Sequence, residues 1–387
     1  MQNTQTLTKK MKTKKRRPSR DLKKEEPTSS QQRHSRNVFF DMRLRKIIRE
    51  NHGQGISQLV FFLCKENNGT ANVIDTSNVL GSVGGCELSV YDNEHCGDHL
   101  DIMSNFDITP SNLKNEYKHK LTTMCWFYKQ DDVLLATAGA DTMIHLLSLA
   151  FSEEIMLLKG HKDVVSDLQS HPLNNSHMLS TSQDGTIRFW DIDREKCLVI
   201  FEAKAPLTVS CFHPSGTTFI TGSQAGDIYE WAIPPITDIT DNDKPFLVSK
   251  NKARVLSEMH GGSYIDCIRF ANGNLITKSI DNQLHYWDAT TQKLLHSFSS
   301  FTSKENKSRF DVSMDERYLC VGSEKGLLYV FDIQTGDRIA KLGHKKSSRA
   351  IKCCVFNQNC RQIVAASEGA FILRYDYIDD NALDQVR

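Results

Sequence analysis

Four residues in one short stretch have the types that could do chemistry. Between Gly160 and Ile192 lie His161, Ser182, Asp184 and Trp190. A histidine, a hydroxyl and a carboxylate are the parts of a nucleophilic relay, in which the imidazole takes the hydroxyl proton and the carboxylate orients the ring. With an indole N–H added, the same groups also make a hydrogen-bonded chain that satisfies polar atoms inside a β-rich core. The usual company of a catalytic set is missing, since the sequence holds no GxSxG, no GxxxxGK[ST] and no HExxH. No enzyme activity, cofactor or metal is expected.

A second cluster could bind metal. Asp92, His95, Cys96, Asp98 and His99 crowd together ten or so residues after Cys86. A Cys and two His could ligate zinc, but a second close Cys pair is missing, and a polar loop is the expectation. Cys353, Cys354 and Cys360 also lack metal spacing. The first two alternate with Ile351, Val355 and Phe356, as strand residues do.

The elements around these residues are short strands. Gln183-Asp184-Gly185 separates Met178–Thr181 from the alternating Thr186–Trp190, a tight-hairpin signal. Gly160-His161 before and Trp190-Asp191 after complete a unit that resembles the WD repeat. Its closing strand recurs. The residues at the Trp position are Tyr91, Leu147, Trp190, Trp231, Trp287, Phe331 and Tyr375, spaced by 56, 43, 41, 56, 44 and 44. Small residues precede each, as in Gly81-Ser82-Val83-Gly84 and Val321-Gly322-Ser323.

A four-stranded sheet cannot cover both its faces alone, and radial stacking buries them. The expected fold is all-β, a seven-bladed WD-repeat β-propeller with a disordered basic N-terminal arm. The strand near Val38–Arg49 is expected to complete the blade formed by Ile351–Tyr377, which removes an exposed edge. The two long spacings place insertions within 93–120 and 234–262, read as polar loops leaving the ring. The resemblance to WD repeats implies that His161, Ser182, Asp184 and Trp190 form a structural network, running from indole to hydroxyl to His to Asp.

Charge divides the chain. Residues 1–36 hold twelve Lys/Arg and three acids, a charge of +9, so the rest carries −8 to give the total of +1. Leu7 and Leu22 are the arm's only aliphatic residues apart from methionine, too few to offset ordering entropy. Its basic clusters suit nuclear import or nucleic-acid contact. Eleven cysteines without a CxxC favour free thiols in a reducing compartment. No 18-residue apolar run or apolar leader occurs, so no membrane association is expected. The expected division is an arm at 1–36, a propeller at 37–378 and a tail at 379–387.

Finer motifs narrow the resemblance. Tyr264–Phe270 leading to Asn274–Ser279, then Val312-Ser313-Met314-Asp315, Ala350-Ile351-Lys352 and Arg49-Glu50-Asn51-His52 are similar to the extra sex combs / embryonic ectoderm development family. That family supplies the WD-repeat subunit of Polycomb repressive complex 2. The resemblance covers roughly residues 44–377. It implies a nuclear, non-catalytic scaffold that binds a SET-domain methyltransferase helix on one face. On the other face it implies a trimethyl-lysine cage for a histone tail.

The cage positions correspond here to Ser57, Thr122, Ser308 and Arg309, with Lys352 beside them as a peptide-binding candidate, and none is aromatic. Arg309 would repel a quaternary ammonium. Phe310, Phe127 and Tyr128 are close enough in sequence to rebuild part of a cage in a shifted register. The expectation is a retained scaffold with methyl-lysine reading weak or lost. The alternatives are a chromatin- or origin-associated recruiter and a general interaction adaptor.

Overall fold

The computed structural model describes residues 38–50, 55–63, 78–93, 100–109, 120–129, 132–235, 244–256, 259–303, 307–345 and 347–378. The basic arm, the C-terminal tail, and His95, Cys96, Asp98 and His99 lie outside the described residues. Among the described residues no helix is long and apolar enough to cross a membrane.

Seven sheets, antiparallel but for one added strand, form the blades of a β-propeller. Blade 1 holds Ile56–Phe61, Val79–Gly84, Glu87–Asp92 and Asp101–Asp107, in that order from the axis outward. Burial follows the same order. The second strand of blade 3, His177–Ser182, is buried along its whole length, whereas the outer Asp101–Asp107 strand buries only Phe106. Inner strands therefore read as continuous apolar or small-residue runs, and outer strands as mixed ones.

The core lies between blades. Phe201 of blade 3 meets Phe219 and Trp231 of blade 4 edge-on, with ring centroids 4.9 and 5.5 Å away. Near the axis, side chains stitch neighbouring inner strands together. The Met124 N–H donates to Gln58, Leu168 N–H to Thr123, Ser210 N–H to Asp167 and Phe356 N–H to Asp311. Buried backbone donors need acceptors, and these side chains supply them where no strand pairing does.

The Met42–Arg49 strand pairs antiparallel with Phe371–Tyr377, from Met42 opposite Tyr377 to Arg49 opposite Phe371. It is the outer strand of blade 7, so the two ends of the described chain share one sheet. Phe39, just before it, packs edge-on against Tyr318 of blade 6 at 4.7 Å.

The two insertions correct the reading of polar loops. Asp101–Asp107 is the fourth strand of blade 1. Phe246–Ser249 crosses back to blade 3 and pairs parallel with Lys196–Glu202 as a fifth strand, and Arg254–Leu256 then completes blade 4. The apolar run Phe246-Leu247-Val248 was the available signal. Val248 packs into the same cluster as Phe201 and Trp231, and that burial pulls the segment back onto the ring.

Candidate functional site

The innermost strands of six blades carry the same β-bulge, each opposite the end of the second strand. The bulged residues are Ser57, Thr122, Ser166, Thr208, Asp266 and Lys352. Ser308 holds the corresponding place in blade 6, as the register of Asp311 with Cys320 fixes. A bulge turns its side chain away from the pleat. Here the six bulged side chains and Ser308 line one cavity of about 590 Å³ at an end of the central channel.

Every peptide-binding candidate lines that cavity: Ser57, Thr122, Ser308, Arg309 and Lys352. Their surroundings differ from an aromatic cage. Ser57 Oγ donates to the Leu121 carbonyl at 2.9 Å and Thr122 Oγ1 to the Val165 carbonyl at 2.5 Å, which ties each blade to the next. Arg309 reaches across the channel to the Asp167 carboxylate at 2.8 Å and the Ser166 carbonyl at 3.2 Å. Phe310, Phe127 and Tyr128 are not among the cavity's lining. Phe310 is buried facing a separate space deeper in the channel, and Tyr128 stands beside Phe62 on blade 2's edge.

Sequence reasoning missed three of the ring's seven residues. Ser166, Thr208 and Asp266 had a readable signal, since each follows the apolar residue that opens an inner strand: Val165, Leu207 and Ile265. Asp266 accepts from Lys278 Nζ at 2.6 Å and from the Ser308 N–H at 3.0 Å, and its other oxygen has no hydrogen-bond partner. Burial raises the Asp266 pKa despite the ammonium beside it. Among the described residues Tyr264 is the one aromatic side chain that lines the cavity, and Lys307 Nζ sits 4.3 Å from its ring centroid.

The relay-like set is buried and continuous, with one correction. Trp190 Nε1 donates to Ser180 Oγ at 2.8 Å, Ser180 Oγ meets His161 Nε2 at 2.7 Å, and His161 Nδ1 meets Asp184 at 3.0 Å. The hydroxyl in the chain is Ser180, not Ser182. Ser180 sits two residues beyond Trp190's cross-strand partner Met178, on the face the indole covers. Ser182 Oγ instead donates to the Asp163 carbonyl at 3.0 Å and caps the turn at Asp184 N.

Burial lowers the His161 pKa against the pull of Asp184. Burial also opposes ionisation of Asp184, but hydrogen bonds from His161, Thr186 and the Lys162 N–H outweigh it and hold that carboxyl low. The ring nitrogens and the hydroxyl are all engaged, and the His161 and Ser180 side chains are buried. Blade 5 repeats the pattern, with Trp287 and His260 both on Thr277 Oγ1 and His260 Nδ1 on Ser279. Among the described residues no group of three or more His, Cys, Asp or Glu is placed to hold a metal ion. Cys353 and Cys354 are strand residues in Ile351–Phe356.

The family profile "WD domain, G-beta repeat" matches residues 152–191. The chain is 22% identical over 326 residues to Polycomb group protein FIE1 of Oryza sativa subsp. japonica, covering 78% of this chain and 85% of that protein. It is 20% identical over 367 residues to Polycomb protein esc of Drosophila melanogaster, covering 85% and 83%. A shorter similarity, 25% over 239 residues, links it to pre-rRNA-processing protein crb3/ipi3 of Schizosaccharomyces pombe, covering 57% and 52%. The chain is thus a seven-bladed WD-repeat propeller that resembles the extra sex combs / embryonic ectoderm development family.

Proposed function

We propose that this chain is a non-catalytic scaffold subunit of a Polycomb-type histone methyltransferase complex, supporting histone H3 lysine methylation and gene silencing in the nucleus. The observation that carries this reading is the similarity to Polycomb protein esc along 85% of the chain. The crb3/ipi3 similarity spans about half of that relative and carries less. A closed, rigid ring with loops at both ends suits the holding of partners. Its partners on this reading are protein subunits, among them a SET-domain methyltransferase. The basic arm serves import or nucleic-acid contact.

Direct methyl-lysine reading is weak or absent on this proposal. An aromatic cage stabilises a quaternary ammonium through ring faces. The cavity here offers hydroxyls, Arg309 locked on Asp167, and one tyrosine already facing a lysine.

Affinity purification of the full chain from nuclear extract tests the scaffold reading. The expected result is a co-purifying SET-domain methyltransferase. Origin-recognition subunits in its place would indicate a recruiter, and neither would indicate a general adaptor. Either outcome overturns the proposal. Titration with histone H3 peptides tests the reading of the cavity, and micromolar, methylation-dependent binding would refute it. Deletion of residues 1–36 should abolish nuclear accumulation if the arm acts in import.

A further inference from the structure

Blade 7 repeats the geometry of blade 3 with two polar groups missing. Tyr375 lies opposite Ile363 as Trp190 lies opposite Met178. Ala365 therefore stands where Ser180 carries its hydroxyl, and Gly369 where Asp184 carries its carboxylate. Gly343-His344 repeats Gly160-His161. The result is a buried phenol, 1% exposed, whose hydroxyl has no hydrogen-bond partner. Blade 4 keeps the bond that blade 7 lost, with Trp231 Nε1 donating to Thr221 Oγ1 at 3.0 Å. A buried donor left unmade costs stability, and nothing in the packing of blade 7 requires one.

Tyr375 lines a cavity of about 590 Å³ on the circumference of the ring. The cavity runs between Arg338–Leu342, the outer strand of blade 6, and Met42–Arg49, the outer strand of blade 7. Its floor is apolar, with Phe39, Met42 and Leu342 all buried. Among the described residues its charged lining is Arg43, Arg338 and Lys341, with His344 beside them and no Asp or Glu. Phe40, also in the lining, is 59% exposed. The chain beyond residue 36 carries −8, so an all-cationic groove is a local reversal of sign. Burial pushes the Tyr375 phenol up to about 12, so it stays a donor at neutral pH.

We propose that this groove is a docking site for an acidic peptide segment of a partner protein. The segment lays an apolar side chain along the floor between the two outer strands and presents its carboxylates to the exposed Arg338 and Lys341. Charge complementarity selects this occupant. A basic segment would meet only like charge at the rim, and a neutral one would leave three cations uncompensated. The proposal is independent of the Polycomb reading, because nothing in it draws on the family.

The test uses the full chain and three pools of bead-bound octapeptides. The pools alternate randomised Leu, Ile or Phe with Glu, with Gln or with Lys. The Glu pool alone should capture the protein. The double variant Arg338→Glu/Lys341→Glu, with exposed side chains that leave the core intact, should lower capture about tenfold or more. Tyr375→Phe should leave capture unchanged while its melting temperature stays the same or rises, because it removes a buried, unsatisfied hydroxyl without changing the ring.

Equal capture by the Glu and Gln pools would overturn the proposal, as would capture unaffected by the double variant or no capture at all. Sedimentation of the free chain supplies the remaining control. A concentration-dependent dimer abolished by the double variant would assign the groove to a second copy and overturn the partner reading.

Discussion

Arg309 and Asp167 meet across the propeller axis at 2.8 Å although 142 positions separate them in the chain. One belongs to blade 6 and the other to the inner strand of blade 3, Val165–Ser170, so the pair spans the channel. Asp167 is fully buried, and it also accepts from the Ser210 N–H at 2.9 Å and Gln169 Nε2 at 3.0 Å. The arginine that would repel a methylated lysine is thus a structural tie.

Removing one partner should cost more than removing both. Arg309→Met leaves the Asp167 carboxylate buried without its cation and should destabilise the fold by about 3 kcal/mol. The double variant Arg309→Met/Asp167→Asn should recover most of that loss. Urea denaturation of both variants measures the difference, and a single variant as stable as the parent would refute the tie.

The corrected network makes a comparison of two serines decisive. Ser180→Ala strands the Trp190 indole N–H and a His161 ring nitrogen in the core and should cost about 2–3 kcal/mol. Ser182→Ala loses hydrogen bonds to the Asp163 carbonyl and from the Asp184 N–H, both at the turn, where water can replace them, and should cost about 1 kcal/mol. Thermal melts that reverse this order would restore Ser182 to the network.

His260 sets a pH dependence with a definite sign. Burial, aided by nearby His285, pushes its pKa down from 6.5 to about 4. Between those values the unfolded chain binds a proton that the folded chain does not, so stability rises with pH across that window. The loss on going from pH 6.5 to 4 should be about 3 kcal/mol from this residue. Denaturation midpoints of parent and His260→Gln at both pH values isolate it, and a variant with the parent's full pH slope would exclude His260 as the cause.

Ring closure should depend on the residues just before the first strand. Phe39 is 1% exposed and packs on Tyr318 and Phe356. Phe39→Ala should cost about 3–4 kcal/mol, while the neighbouring Phe40→Ala, at an exposed site, should cost little. Hydrogen exchange should show faster exchange along Phe371–Tyr377 in the first variant only, because that strand pairs with Met42–Arg49. Protection unchanged in Phe39→Ala would separate the packing from closure.

The sequence by itself determined the repeat. Seven strand phases, the aromatic at Tyr91, Trp190, Trp231 and elsewhere, and the hairpin at Asp184-Gly185 are local signals, written in turn chemistry and period-two alternation. That Ser57, Thr122, Ser308 and Arg309 are not aromatic was legible in the same way.

Tertiary structure decided what crosses between blades. It placed Phe246–Ser249 on blade 3 rather than blade 4, chose Ser180 over Ser182, and joined Arg309 to Asp167. Nothing local favours one serine two residues from another. The choice falls to whichever hydroxyl faces the indole once the strands are in register. The bulge ring shows the division plainly. Each polar residue at a strand's second position is visible in sequence, but only closure of the circle brings six of them, with Ser308, to one axis.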